Sequence, residues 1–181
     1  KPVEMPLIDI LSEFVAFRKQ VVRRRTIFEL NKARDALHRQ IGLYAAISML
    51  DEVVRTIRSS ADADIARARL MQMSFSTVGD FARLLAEADP DNEVGETFHL
   101  SEIQARSILE MRLQRLTGME RDEIEKIARE ISVEINSYIS VLNDETILNG
   151  IVRTEMEEVK AKFANPRVTQ IDQTDWDQID D

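Results

Sequence analysis

The chain has 181 residues, of which 44% are hydrophobic and 31% charged, and its net charge is −9. This composition is typical of a globular, helix-rich protein with a core of its own. There is no cysteine, which excludes disulfides and thiolate metal sites. No apolar run is long enough to span a membrane, and the first residues carry no signal-peptide pattern. Because the sequence does not begin with Met, we expect a fragment of a longer chain.

The charge is unevenly distributed along the chain. Residues 1–60 carry eleven Lys and Arg against seven Asp and Glu, so the remaining residues carry a balance of −13. An acidic surface is poorly suited to DNA, since each phosphate contact needs a cation. Any nucleic-acid contact is therefore expected in the first half of the chain.

A first long helix is predicted from Leu7 to about Met49, because no proline interrupts this stretch. Its first half has an apolar residue at every seventh position, namely Leu7, Phe14, Val21 and Phe28. Its second half follows steps of three and four, namely Ile27, Leu30, Arg34, Leu37, Ile41, Tyr44 and Ser48. Both patterns are typical of the contact seam of a coiled coil.

A second long helix is predicted from about Glu120 to Ala164, again with apolar residues in steps of three and four. Asn143-Asp144 predicts an interruption and a new N-cap, and Asn165-Pro166 ends the helix. If the two long helices run antiparallel, Ile27 lies opposite Leu142. The arginines that follow Val22 then lie beside the interruption of the second helix.

Short helices are predicted between the two long ones, over residues 52–58, 65–73 and 77–88, with a turn from Asp89 to Gly95. The predicted fold is all-α: a long antiparallel two-helix coiled-coil stalk with a small globular helical tip. Residues 1–49 form the descending helix, 50–118 the tip and 119–164 the returning helix. Residues 165–181 are acidic and are predicted to form a flexible linker.

One tip helix is predicted from Ser101, a good N-cap, to Gly118, a good terminator. It carries two apolar seams, of which one is Ala105, Leu109, Leu113 and Leu116 and the other Gln104, Ile108, Met111 and Arg115. A surface helix needs only one such stripe. We interpret the second seam either as part of a well-buried core helix or as a face that meets a partner.

The sequence offers little for catalysis. His38 and His99 are isolated and are expected to have structural or surface roles, and no metal-ligand spacing or phosphate-binding glycine loop is present. The basic triplet at positions 23–25, Arg23, Arg24 and Arg25, has two interpretations. It forms ion pairs across the stalk, with Arg24 or Arg25 against Asp144 or Glu145, or it faces DNA.

Three stretches carry a resemblance to a known family. FVAFRKQVVRRRTIFELNKARDALH resembles the start of the coiled-coil segment in the A subunit of bacterial DNA gyrase, a type IIA topoisomerase. LSEIQARSILEMRLQRLTGMERDEI resembles the segment that follows it, and EMEEVKAKFANPRVTQI resembles the exit from the coiled coil. The similarity covers nearly the whole chain in the right order. The paralogous subunit of topoisomerase IV is related, but RRTIFELNKARD is more similar to gyrase.

The resemblance implies the exit gate, or C-gate, of an ATP-dependent isomerase that supercoils DNA. In that family two long helices descend from the DNA-cleaving core to a tip, the tips of two subunits meet, and a transported duplex leaves between them. The helix that begins at Ser101 matches the gate segment. The residues expected to cross the twofold axis are Ile108, Leu109, Met111, Arg112 and Arg115.

The resemblance also implies what this stretch lacks. The family's nucleophilic tyrosine follows an arginine, whereas Tyr44 follows Leu43 and Tyr138 follows Ser137. No cofactor is expected here, and ATP and magnesium belong to the gyrase B subunit in an A2B2 holoenzyme. The implied partners are a second copy of the chain, the passing DNA duplex and the gyrase B subunit, with no membrane, in the bacterial cytoplasm on the chromosome. Alternatives are the topoisomerase IV equivalent, a coiled-coil dimerisation module unrelated to DNA, and a stand-alone nucleic-acid-binding helical domain.

Overall fold

The computed structural model describes residues 4–77, 79–90, 94–111 and 121–169. Helices dominate this part of the chain and the all-α class is confirmed, with one small two-stranded sheet in addition. In chain order the elements are α1 (Leu7–Ser48), α2 (Leu50–Arg58), α3 (Ala63–Gln72), β1 (Ser74–Ser76), α4 (Asp80–Ala88), β2 (Thr97–His99), α5 (Glu102–Glu110), α6 (Arg121–Asn143) and α7 (Glu145–Phe163).

The long helix α1 packs antiparallel against α6 and α7. At its C-terminal end, Gln40 Nε2 donates to the carbonyl of Ile124 at 3.2 Å. Near its N-terminal end, Arg18 pairs with Glu155 at 2.7 Å. Residues nearer the start of α1 therefore contact residues later in the chain, as antiparallel packing requires. The predicted two-helix stalk is confirmed.

The buried face of α1 differs in part from the prediction. Its buried residues follow the steps of an inner seam, Val22, Thr26, Leu30, Ala33, Leu37 and Ile41. The predicted second seam is correct at Leu30, Leu37 and Ile41. The predicted heptad row of the first half is wrong as the stalk seam, because Leu7 is 71%, Phe14 49% and Phe28 64% exposed. In this half of α1 the buried seam residue is Val22, which packs against Val141 of α6 and against Leu148 and Val152 of α7.

Single non-helical residues end the first arm of the stalk and interrupt the second. Met49, with φ −127° and ψ 42°, separates α1 from α2. Asp144 separates α6 from α7, and its carboxylate accepts from the backbone N–H of Thr146 at 2.7 Å. The interruption predicted at Asn143-Asp144 is confirmed. It arises because an Asp side chain at an N-cap replaces the hydrogen bonds that a new first helical turn lacks.

The sheet was not predicted from the sequence. β1 and β2 are antiparallel, with Phe75 opposite Phe98, and three residues per strand give too little periodicity to recognise. The sheet supports an aromatic cluster: Phe81 of α4 packs edge-to-face on Phe98, with ring centroids 5.6 Å apart, and stacks on Tyr44 of α1 at 5.2 Å. The tip core thereby includes the end of α1.

The helix that starts after Ser101 is shorter than predicted. It ends at Glu110, and Met111 has an extended backbone with φ −74° and ψ 133°. The predicted continuation to Gly118 falls on residues 112–120, which lie outside the described residues.

Two helical glycines provide a matched test of packing between the stalk and the tip. A Cβ at Gly42 of α1 would lie 2.7 Å from Cβ and Cγ of Gln104, whereas a Cβ at Gly150 of α7 would meet nothing within 4 Å. Gly42→Ala is expected to lower the free energy of unfolding by about 1–3 kcal/mol through overpacking. Gly150→Ala should raise it by about 0.4–1 kcal/mol. Urea unfolding measures both, and an equal gain at the two sites would refute the close contact.

Candidate interaction surfaces of the tip and the stalk

A complete capping box begins α5. Ser101 Oγ accepts from the N–H of Gln104 at 3.2 Å, and Gln104 Oε1 accepts from the N–H of Ser101 at 2.9 Å. The reciprocal bonds satisfy two donors that a helix start otherwise leaves open. The N-cap that the sequence predicted at Ser101 is confirmed.

The same residues attach α5 to α1. Gln104 Nε2 donates to the carbonyl of His38 at 2.7 Å, and His38 Nε2 lies 2.8 Å from Ser101 Oγ. The side chain of Gln104 is fully buried. Burial lowers the pKa of His38, while the charges of Asp89 and Asp35 oppose the shift. His38 is thus in contact with the tip helix, in a structural position.

Both predicted seams of the tip helix turn inward as far as the structure describes them. Ala105 and Gln104 are 0% exposed and Ile108 is 1% exposed. Ile108, expected at the twofold axis, therefore offers almost no surface in this arrangement, because it fills the core of its own chain. Leu109 and Met111 are partly buried against that core. Arg112 and Arg115 lie outside the described residues.

The outward side of α5 is a different set of residues. Ile103 is 59% exposed, next to an ion pair between Arg106 and Glu102 at 3.1 Å. A shallow groove between α3 and α5, here called the tip groove, is lined by Ala63, Arg67, Arg106, Leu109 and Glu110. Sequence reasoning missed Ile103 because it belongs to neither apolar seam. The available signal was an Ile between two polar residues, Glu102 and Gln104.

Four ion pairs cross the stalk between α1 and α7. Glu145 pairs with Arg23 at 2.6 Å and with Lys19 at 3.7 Å. Glu155 pairs with Arg18 at 2.7 Å and with Arg25 at 2.6 Å. Beside α7, the stalk is therefore held by charge as well as by the small apolar cluster around Val22, whereas α1 and α6 share the larger core cluster.

The partners of the basic triplet differ from the expected ones. Arg23, rather than Arg24 or Arg25, pairs with Glu145, and Arg25 reaches Glu155 instead. Arg24 is exposed and has no ion pair within the described part of the chain. Asp144 serves as the cap of α7, and hydrogen bonding from Thr146 lowers its pKa.

Nothing in the described part of the chain forms a metal centre: no group of three His, Asp or Glu residues is arranged to hold an ion there. His99 Nδ1 lies 3.0 Å from the carbonyl of Met73, beside the sheet. Over the same residues, no helix has both the length and the apolar content that a membrane span requires.

Comparison with known proteins gives the family. Residues 1–157 match the sequence profile of the A subunit of DNA gyrase/topoisomerase IV. The chain belongs to this family. It is 40% identical to the DNA gyrase A subunit of Granulibacter bethesdensis over 184 aligned positions, which cover 100% of the chain and 20% of that relative. Identity to the gyrase A subunits of Rickettsia conorii and Campylobacter jejuni is 38%, over 98% and 99% of the chain.

The chain spans about a fifth of the length of these curated relatives, 20% for Rickettsia and 18% for Campylobacter. The family resemblance inferred from the three sequence stretches is thereby confirmed. The chain corresponds to one segment of much longer relatives.

Glu155 provides a test of the stalk ion pairs. Glu155→Gln is expected to lower the free energy of unfolding by about 0.5–1 kcal/mol at neutral pH, because two guanidinium groups lose a charged partner. Hydrogen bonding from Arg25, together with Arg18, lowers the pKa of Glu155 below its ordinary value of 4.5. Its contribution is therefore complete above that value and is lost as the pH falls through the folded-state pKa.

Urea unfolding at neutral and acid pH measures the effect. Glu158→Gln is the control, since Glu158 is exposed on the same helix and has no ion pair within the described residues. A stability difference between wild type and Glu155→Gln that does not shrink at acid pH would contradict the ion-pair origin.

Proposed function

We propose that this segment is the exit gate of DNA gyrase, where two A subunits meet and separate to release a transported duplex. The observation that carries the proposal is the architecture of a chain of this family: a two-helix stalk that ends in a packed tip of short helices and a two-stranded sheet. The tip core encloses the C-terminal end of α1 and the start of α6, so both arms of the stalk enter one body.

The proposed contact between subunits is the outward side of α5 and the residues that follow it. Ile103, Leu109 and Met111 supply apolar surface beside the tip groove, whose rim is charged. An apolar centre with a polar rim is the usual composition of protein interfaces of standard size. The expected residues Arg112 and Arg115 belong to the same proposal, whereas Ile108 supports the contact from the core.

In the proposed holoenzyme this segment has a mechanical role. DNA cleavage, ATP hydrolysis and magnesium binding fall to other parts of the A and B subunits, and the segment alone is expected to be inactive. Its two tyrosines support this proposal: Tyr44 stacks on Phe81, and Tyr138 is partly buried against the core cluster that the stalk and the tip share. The interruptions at Met49 and Asp144 are proposed hinges, since short breaks between helices can absorb backbone rotation.

Gyrase is preferred over topoisomerase IV because the relatives aligned over nearly the whole chain are named as gyrase subunits. The topoisomerase IV equivalent is the second candidate, since the family description includes both enzymes. Family membership disfavours a coiled-coil module unrelated to DNA. We propose a cytoplasmic, chromosome-associated location, with the duplex passing between two stalks.

Charged substitutions on the tip test the gate. Met111→Glu and Ile103→Glu are each expected to weaken dimerisation at least about tenfold, equivalent to roughly 1.4 kcal/mol, because a carboxylate would be buried in an apolar contact. Sedimentation over a concentration series measures the dissociation constant, and circular dichroism checks that helix content is unchanged. Val159→Glu, at a half-exposed position on the stalk, is the control.

A further readout is supercoiling by the holoenzyme reconstituted with the altered full-length subunit. An unchanged dimer constant for both tip variants would remove this side of α5 from the interface. A chain that is monomeric at every concentration would mean that the tips associate only when the rest of the subunit holds them together.

A further inference from the structure

His38 forms a polar contact between the stalk helix α1 and the start of the tip helix α5. Its Nε2 lies 2.8 Å from Ser101 Oγ, and its carbonyl accepts from Gln104 Nε2 at 2.7 Å. Ser101 and Gln104 are also the residues that close the capping box of α5. The imidazole of His38 therefore contacts the residue that begins α5, at the place where the tip helix joins the stalk.

The hydrogen bonds around Ser101 favour a neutral ring at His38. Ser101 Oγ already accepts from the N–H of Gln104 at 3.2 Å, and its hydroxyl has one hydrogen to donate. An unprotonated Nε2 can accept that hydrogen, which assigns the proton of the neutral ring to Nδ1. In this arrangement the hydroxyl of Ser101 connects the backbone of α5 to a side chain of α1.

A second proton on the ring opposes this contact. Nε2 then carries a hydrogen that points at Ser101 Oγ, so the hydroxyl hydrogen has to turn away from the ring. The positive charge also lies at the N-terminus of α5, where the first N–H groups of the helix carry partial positive charge. Both effects are unfavourable at this half-buried position, where water screens charge less than it does at the surface.

The charged groups around the ring come from two helices. Asp35 and Arg39 are its neighbours on α1, and Asp89 acts on it from the end of α4. From α5 the ring meets the neutral hydroxyl of Ser101. Burial has the largest effect and lowers the pKa of His38 below its ordinary value of 6.5, against the opposing effects of Asp89 and Asp35. The charged ring is therefore disfavoured in the folded chain.

We propose that His38 is a proton-sensitive contact: the neutral ring holds α5 on α1, and protonation releases the start of α5 from the stalk. Because Ser101 and Gln104 position α5, release also changes the placement of its outward side, which carries Ile103. The released state binds the proton more tightly, so the attachment is complete above the ordinary pKa of 6.5 and weakens as the pH falls toward the lower folded-state pKa. The proposal concerns the joint between α1 and α5 and does not depend on the tip being the exit gate.

Hydrogen exchange of the whole chain at about pH 7.5 and about pH 5.5 tests the proposal. Mass spectrometry reads the exchange, which is corrected for the intrinsic rate at each pH. On acidification, protection of the α5 amides, residues 102–110, is expected to fall by about two- to tenfold, because one proton favours the released state. Protection of α7, which pairs with the other end of α1, should not change.

Three variants separate His38 from general effects of acid. His38→Gln keeps a hydrogen-bonding side chain that takes up no proton, so the fall should disappear. His99→Gln is the matched control, because His99 is the other of the two histidines and is exposed beside the sheet, and the fall should remain. Ser101→Asp keeps a preferred N-cap residue but places a carboxylate beside the ring. Since a nearby anion favours the imidazolium, α5 should become better protected at the lower pH.

The reversed sign expected for Ser101→Asp makes the test independent of how well His38→Gln folds. Equal protection of α5 at the two pH values in the wild type would overturn the proposal. An equal fall in the wild type and in His38→Gln, or an equal fall in α5 and α7, would do the same. A fall in Ser101→Asp as large as that of the wild type would also overturn it.

Discussion

The joint between stalk and tip depends on one buried polar side chain. Gln104 sits against Gly42 and donates to the carbonyl of His38, so a single residue closes the cap of α5 and anchors it to α1. A buried amide without partners would cost several kcal/mol, which makes the arrangement specific to one position of α5 on α1. The outward side of α5 is set by this attachment, and with it the surface proposed to meet a second subunit.

Much of the fold could be predicted because its signals are local. Asp144 as an N-cap, the absence of proline through α1 and the capping residue Ser101 are each readable from a few neighbours. The face of α1 that packs against α6 and α7 could not be predicted from local signals. Val22 and Phe28 both belong to rows with helical spacing, and only the position of α6 and α7 decides which row is buried.

The candidate site was harder to predict because it depends on distant pairings. Ile108 has the pattern of an interface residue, yet α1 and the rest of the tip core enclose it. The choice of Arg23 as the partner of Glu145 depends on helix rotation, since three adjacent arginines differ in direction by about 100° per residue. The small sheet joins segments more than twenty residues apart, which no local pattern records.

The continuity of α1 has a mechanical consequence. Its 42 residues form a rod without a break, about 63 Å long at 1.5 Å per residue. A tilt of about 10° at one end therefore displaces the other by roughly 11 Å on this helix length. In the proposed gate, this rod would act as a lever arm: a small change of angle at the proposed hinge, Met49, would displace the far end of the stalk by several times the movement at the hinge itself.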